Sequence, residues 1–295
     1  MTPPPPKSFV KDVIHNSDCA NMAELPNNAI DLIISGPPYW TFIDYAAFNR
    51  GEEFLWVDED QTYEKFLEQL ELWSGECYRV LKPGRYYVVN LGTMARGSKS
   101  YPIPFHAVGV IEKTGFKFCY EVVWHKVSGG RTRARNFIQR PFPGSFSPNI
   151  RTEYLLVFRK NPSVPFKLRL DMELDKELLV TIDDYFLREI ANNVWHIPPP
   201  HKGANPAHPC PFPIELPSRV IELFSLPGET VLDPFMGIGT TAIAAKDLGR
   251  HYIGYELEPK FIKKALDSLQ TPQKRRPQIL CEYKKYRQPR HGACQ

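Results

Sequence analysis

The sequence predicts an α/β domain built on a doubly wound, mostly parallel sheet with helices on both faces. Three observations predict it. Residues 230–248 read as a strand, a glycine loop and an Ala-rich helix stopped by Gly249. Residues 250–256 follow as a second strand that ends in an acid, Glu256. Between residues 63 and 158, apolar runs of strand length alternate with stretches of helical period, the pattern of a parallel-centred sheet.

The elements can be taken in order. Residues 1–8 carry four consecutive prolines and read as an extended tail. Val13, Ile14 and His15 read as a strand running into the polar turn 16–19, and a short helix is expected at 21–25. Residues 30–34 form a mostly apolar run cut off by Gly36 and Pro37. The consecutive prolines Pro37 and Pro38 fix their own φ, lack N–H donors, and make the backbone stiff. Tyr39 and Trp40 follow at once and offer flat aromatic faces. A rigid carbonyl array beside an aromatic plate suits a planar, amino-bearing ring. The plainer alternative is a strand end turned by prolines over a buried Tyr. Residues 41–60 lack a clear period and read as a loop over this stretch. Apolar positions at Phe66, Leu67, Leu70, Leu72, Trp73, Cys77 and Val80 predict a helix over 63–81. A buried strand is expected at 86–91, a polar loop at 92–100, a helix at 104–114 and strands at 116–124 and 153–158.

Gly237 and Gly239 permit tight turning and let a ligand approach the N–H groups at the following helix start. Phosphate is the usual ligand of such loops, but a ligand carboxylate satisfies the same donors. No G-x-x-x-x-G-K-[ST] is present, which argues against a P-loop nucleotide hydrolase. Glu256 lies 17 residues beyond Gly239, at the tip of the next strand, where an acid suits the two hydroxyls of a ribose. Each feature alone has a structural reading; the ordered pair points to an adenosine-containing cofactor.

Composition narrows the rest. At 295 residues, 42% hydrophobic and 24% charged, the chain has the makeup of a globular protein with a sizeable core. A net charge of +4 does not by itself imply nucleic acid. Six scattered Cys without a C-x-x-C pair suit reduced thiols. With no leader-like start and no long apolar segment, neither export nor a membrane span is expected. Lys126, Arg131, Arg133, Arg135, Arg140 and Arg151 occur with no acid between them, interleaved with Phe137, Phe142 and Phe146. That pattern suits phosphate contacts plus stacking or insertion, against the alternative of a solvated basic loop. Residues 161–192 are acidic, read as a helical insert or an oligomer contact. His196, His201, His208 and Cys210 match no zinc spacing, so no metal site is expected. A helix over 259–269 precedes a basic tail from 272.

Taken together, Pro37-Pro38-Tyr39 and Asp233-Pro234-Phe235-Met236-Gly237-Ile238-Gly239-Thr240-Thr241 resemble motifs of the amino-group DNA methyltransferases that use S-adenosyl-L-methionine (AdoMet). The Pro-Pro-Tyr stretch comes first, as in the beta group of that family. His208 to Leu216 with Arg219 and Ile221, the turn from Arg79 to Gly84, and Asn193-Val194-Trp195 resemble further family segments, so the likeness runs over roughly residues 10–270. It implies a sheet of the seven-stranded methyltransferase type with a small target-recognition insert. The expected layout is a tail at 1–9, a catalytic half at 10–125, a basic loop and insert at 126–207, an AdoMet half at 208–271 and a basic tail at 272–295.

The resemblance also implies roles. Ser35, Gly36, Pro37, Pro38 and Tyr39 would form the catalytic stretch. Asp18, Cys19, Phe212, Asp233, Pro234, Phe235, Gly237, Gly239, Thr240, Thr241 and Glu256 would hold AdoMet, with Asp18 and Cys19 at the adenine end. Lys126, Arg131, Arg133, Arg135 and Arg140 would contact DNA, expected to be duplex with the target base flipped out. One departure stands out: the family has Asp, Asn or Ser where this chain has Gly36. Either a side-chain acceptor is missing there, or Ser35 supplies it from a shifted register. Ser35 and the Tyr-Trp ending lean the target to cytosine N4, with adenine N6 as the alternative. A module that binds AdoMet or nucleic acid but lost catalysis at Gly36 is the rival of another class. Methyltransferases acting on RNA or protein glutamine fit the motif order less well, and an NAD-dependent oxidoreductase lacks its G-x-G-x-x-G. The expected location is cytoplasmic, on the nucleoid through DNA. A cognate restriction endonuclease and a homodimer are the partners the family brings.

Overall fold

The computed structural model describes residues 9–38, 62–96, 99–127, 138–139, 146–147, 150–166, 182–200 and 212–270. Its centre is a sheet of eight strands: β1 (Val13–His15), β2 (Ile30–Ser35), β3 (Leu81–Leu91), β4 (Lys117–His125), β5 (Thr152–Arg159), β6 (Val194–His196), β7 (Thr230–Asp233) and β8 (His251–Tyr255). They lie in the order β1-β8-β7-β2-β3-β5-β4-β6. Every neighbouring pair is parallel except the two made by β5, which runs against β3 and β4. The mostly parallel, doubly wound sheet is therefore as expected. The eighth strand is β6, an edge strand whose three residues carry too short an apolar signal to be read in advance.

Helices cover both faces. On one face lie α1 (Tyr63–Val80) and α2 (Ile103–Lys113). They bury Phe66, Leu70, Trp73, Cys77, Ala107 and Ile111 against Ile33, Tyr87 and Val89 of the sheet. The spacing of those α1 residues is the helical stripe that the sequence shows, and Thr62 caps the helix by accepting the Lys65 N–H at 3.2 Å. On the other face lie α3 (Glu215–Phe224) and α4 (Thr240–Asp247), packed on Leu32, Ile34, Val88 and Val157. A last helix, α5 (Pro259–Gln270), runs beside α4. Residues 21–25 form turns, not the expected helix; Arg79 donates to the carbonyls of Met22 and Leu25 at 2.8 Å each and holds that segment on α1. In the acidic stretch, a π-helical turn (Phe186–Ile190) is described, and 167–181 lie outside the described residues. β5 and β6, both within the stretch read as basic loop and insert, belong to the central sheet. Among the described residues, no helix is long and apolar enough to cross a membrane.

One buried cation fixes the edge of the sheet opposite the C-terminal tips of the parallel strands. Lys160, only 6% exposed, donates to the carbonyls of Tyr78 and Leu81 at 2.5 and 2.7 Å and to Asn28 Oδ1 at 2.8 Å. It thereby satisfies carbonyls that the end of α1 leaves open. Lys160→Met leaves those carbonyls without a donor and is expected to lower stability by about 2 kcal/mol. Urea unfolding measures it, and an unchanged midpoint would show the cap to be dispensable.

Candidate active site

The parallel strands β8, β7, β2 and β3 end at one edge of the sheet, and that edge collects the chemistry. In open α/β sheets ligands bind outside the carboxyl ends of the strands. β7 pairs with β2 (Val231 with Leu32, Leu232 with Ile33) and β2 with β3 (Ser35 with Val89). The glycine loop after Asp233 and the Pro-Pro tip after Ser35 are thus neighbours, although about 200 residues separate them in sequence.

The loop is held from within. Asp233 is 1% exposed; its Oδ1 accepts the Phe235 N–H at 2.9 Å and its Oδ2 accepts the Thr241 hydroxyl at 2.5 Å. Burial pushes its carboxyl up to about 7. Asp233 and Thr241, both expected at the cofactor, are bonded to one another and so help to organise the loop. Gly237 and Gly239 have φ of 53° and 85°, a region that favours glycine. Gly239 caps α4, and a Cβ there would lie 2.7 Å from the Ala265 Cβ of α5. Its N–H donates to the Met236 carbonyl at 3.0 Å, and that of Gly237 donates to Glu256 Oε2 at 2.8 Å. The glycine amides expected to hold a ligand are so engaged, which leaves the first-turn N–H groups of α4, beginning at Thr240, as the donors without intrahelical partners. Pro234 is buried, and Phe235 packs edge-on against Trp73 with ring centroids 4.8 Å apart.

Glu256 stands at the tip of β8. Its Oε1 accepts the Glu258 N–H at 2.9 Å, and burial raises its carboxyl above the usual carboxylate range. Asn16, just after β1, donates to the carbonyls of Glu256 and Leu257 at 3.0 and 2.8 Å, and Glu256 donates its N–H to the His15 carbonyl at 3.0 Å. This pinning brings the 16–19 turn against the same tip. There Asp18, half-buried, accepts the Ala20 N–H at 2.8 Å, and Cys19 is buried, its thiol pushed up by that burial. A loop, a helix start, a strand-tip acid and an adjoining acidic turn form a cradle whose donor set fits AdoMet: N–H groups for a carboxylate, an acid for ribose hydroxyls and an acid for an adenine amino group.

At the neighbouring tip, Pro37 is buried while Gly36 and Pro38 are half-buried; Tyr39 lies outside the described residues. Strand alternation puts Ser35 on the face of Ile33, toward α1. Its side chain is fully buried in the core near the Tyr87 phenol. Gly36 falls on the opposite face, that of Ile34, where a Cβ would lie 3.3 Å from the ring of Phe212. The expected substitution of Ser35 for the missing Gly36 side chain is therefore corrected: a one-residue shift turns the hydroxyl into the core.

The same face carries a group that the sequence reading missed. Asn90, one residue beyond Val89, is 8% exposed and donates its Nδ2–H to Glu153 Oε2 at 2.7 Å. Glu153 Oε1 is in contact with the Lys126 ammonium, which also lies 4.7 Å from the Trp124 ring centroid. The Asn90 Oδ1 is buried without a hydrogen-bond partner among the described residues. Lys126, expected to contact phosphate, is thus engaged by Glu153; Arg131, Arg133, Arg135 and Arg140 lie outside the described residues. The signal for the cluster was slight: one polar residue in the apolar run 86–91.

A doubly wound, mostly parallel sheet with a glycine loop and an acid on adjacent strand tips is the architecture of a class I methyltransferase. A family model described as DNA methylase matches residues 30–267. The chain belongs to that family, the DNA methylases that act on amino groups. It is 31% identical over 270 residues to the type II methyltransferase M.MthZI of Methanothermobacter thermautotrophicus, covering 84% of this chain and 73% of that one. To the type II methyltransferase M.MjaI of Methanocaldococcus jannaschii it is 29% identical, covering 82% and 85%. The structure of a DNA modification methylase from Thermus thermophilus, complexed with S-adenosyl-L-methionine, superposes with a TM-score of 0.65 at 28% identity, covering 87% of this chain and 93% of that one.

Proposed function

We propose that this chain moves a methyl group from AdoMet to an exocyclic amino nitrogen of a base flipped out of duplex DNA. The observation that carries the reading is the adjacency of two strand tips, the Gly36-Pro37-Pro38 tip and the glycine loop beside Glu256. AdoMet is the methyl donor of the family, and when bound it supplies an electrophilic methyl group on a sulfonium sulfur. The helix start of α4, Glu256 and Asp18 would hold it, with Phe212 beside Gly36. An exocyclic amino nitrogen is a poor nucleophile because its lone pair is delocalised into the ring. Accepting its hydrogens favours a more tetrahedral nitrogen with a localised pair. The carbonyls of Gly36 and Pro37 are fixed acceptors, held by the prolines, and act more strongly as positive charge grows on nitrogen. The nitrogen attacks the methyl carbon in line as its bond to sulfur breaks, and the methylated nitrogen then releases a proton to water. Positioning is the main requirement. Tyr39, next after the two prolines, is assigned to stack on the target ring.

Cytosine N4 is the base we propose first, on the Tyr39-Trp40 ending; Ser35, turned into the core, no longer bears on the choice. Digestion of DNA methylated by the purified protein, followed by nucleoside mass spectrometry, separates the bases. N4-methylcytosine is the expected product, and N6-methyladenine would replace that assignment while keeping the mechanism. Tyr39→Ala is expected to slow single-turnover methylation by about 10–100-fold, the worth of one stacked base. AdoMet affinity should stay unchanged in a calorimetric titration; an equal loss of both would remove Tyr39 from the target side.

A further inference from the structure

Gly36 leaves the strand tip without a side-chain acceptor, and Ser35 points the wrong way. An acceptor is nevertheless present on the correct face. Asn90 follows Val89, the residue paired with Ser35, so it sits beside Gly36 on the neighbouring strand. Alternation puts both on the α3 side of the sheet, with Ile34 and Val88. The side chain is more than nine-tenths buried, yet its Oδ1 has no hydrogen-bond partner among the described residues. Burying an amide oxygen unpaired costs the full desolvation of that oxygen, and such atoms are uncommon in folded proteins. Ser17 also has an unpartnered buried oxygen among the described residues, but it follows the outermost strand; the buried hydroxyls of Ser35 and Ser74 lie on the α1 side, near the Tyr87 phenol.

The surroundings fix the amide's direction. Only the NH2 branch can serve the Glu153 carboxylate, so the oxygen is the branch left over for another donor. Lys126 holds Glu153 in turn. An amide that donates to a carboxylate carries more negative charge on its oxygen, because hydrogen bonds in series polarise one another.

We propose that Asn90 is a catalytic residue whose side-chain carbonyl accepts one amino hydrogen of the flipped base, standing in for the side chain absent at Gly36. Glu153 and Lys126 are its positioning residues. The inference rests on the reading of the chain as an amino-group DNA methyltransferase and names the acceptor within that site. The group needs no ionisation and holds no proton, so it assists across the working pH range. The proton released after transfer goes to water, as before.

The test uses the full-length protein and a duplex whose methylated base has been mapped with the wild type. Asn90→Ala should reduce the single-turnover rate by about 100-fold, the usual loss for one pre-set polar contact. AdoMet affinity should stay within about twofold of wild type, since that cradle lies at other strand tips. A second readout does not depend on turnover. With the target base placed in a mismatch, wild type should bind tighter than to the same duplex with an abasic target. Asn90→Ala should lose about tenfold of that preference, the worth of one buried hydrogen bond. Should the alanine variant fail to fold, Asn90→Leu keeps the volume and carries the same expectations. A variant rate within about threefold of wild type overturns the proposal, as does a loss of AdoMet affinity that matches the loss of rate. Absence of any methylated base with the wild type would instead overturn the reading beneath it.

Discussion

Gly239→Ala should abolish useful cofactor binding, lowering AdoMet affinity by about 100-fold or more and stability by about 3 kcal/mol. At φ 85° the residue sits in the left-handed region, where a Cβ alone costs about 1 kcal/mol. The new Cβ would also lie 2.7 Å from the Ala265 Cβ and 3.1 Å from its Cα, so α5 itself must shift. Gly239 caps α4, and any shift carries the helix start away from the ligand it is to hold. Gly228 is the control: its φ is 79°, but nothing lies within 4 Å of a Cβ there. Gly228→Ala should cost only the conformational part, about 1 kcal/mol, and leave AdoMet affinity intact. Isothermal titration and urea unfolding on both variants read the difference. Equal effects at the two glycines would show that the α5 contact is immaterial.

Asp233→Asn should change how stability depends on pH. The folded protein holds the Asp233 proton up to about 7, against 3.8 for an exposed group. Because the folded value is the higher, folding binds the proton more tightly. This contribution is complete below about pH 4 and is lost as the pH rises through 7. Over that window it amounts to about 2–4 kcal/mol, the hydrogen bonds to Phe235 and Thr241 working against burial. Asparagine has no proton to exchange, accepts from the Phe235 N–H in the same way, and donates to Thr241 instead of accepting from it. Urea unfolding of the protein without cofactor should therefore show wild type losing ground to Asp233→Asn between pH 5 and 8. Parallel profiles would mean that Asp233 stays ionised in its buried site.

Local motifs of the site are legible in the linear chain. The Asp233-to-Thr241 loop, the Glu256 strand tip and the Pro-Pro tip are contiguous motifs, and the structure brings all three to one edge of the sheet. Position within a motif did not reveal direction. Ser35 looked interchangeable with Gly36 until strand alternation put its hydroxyl against Tyr87. Partners distant in sequence were hidden too. Lys126 heads a run of cations without an acid, yet Glu153, two residues past the end of that run, turns back across the antiparallel pairing of β4 and β5 to engage it. Asn90 is bonded to the same glutamate 63 residues away. The edge strand β6 owes its existence to pairing with β4, which three residues cannot announce.

The central claim is methyl transfer to DNA from the cleft at the strand tips, and label transfer tests it most directly. Purified protein is incubated with methyl-tritiated AdoMet and, separately, with unmethylated duplex DNA, RNA and a protein extract. Acid-stable label is expected in duplex DNA alone, and it should vanish with Gly239→Ala but not with Gly228→Ala. Label in RNA or protein, or AdoMet binding without label in any acceptor, would contradict the assignment of this cleft to DNA methylation.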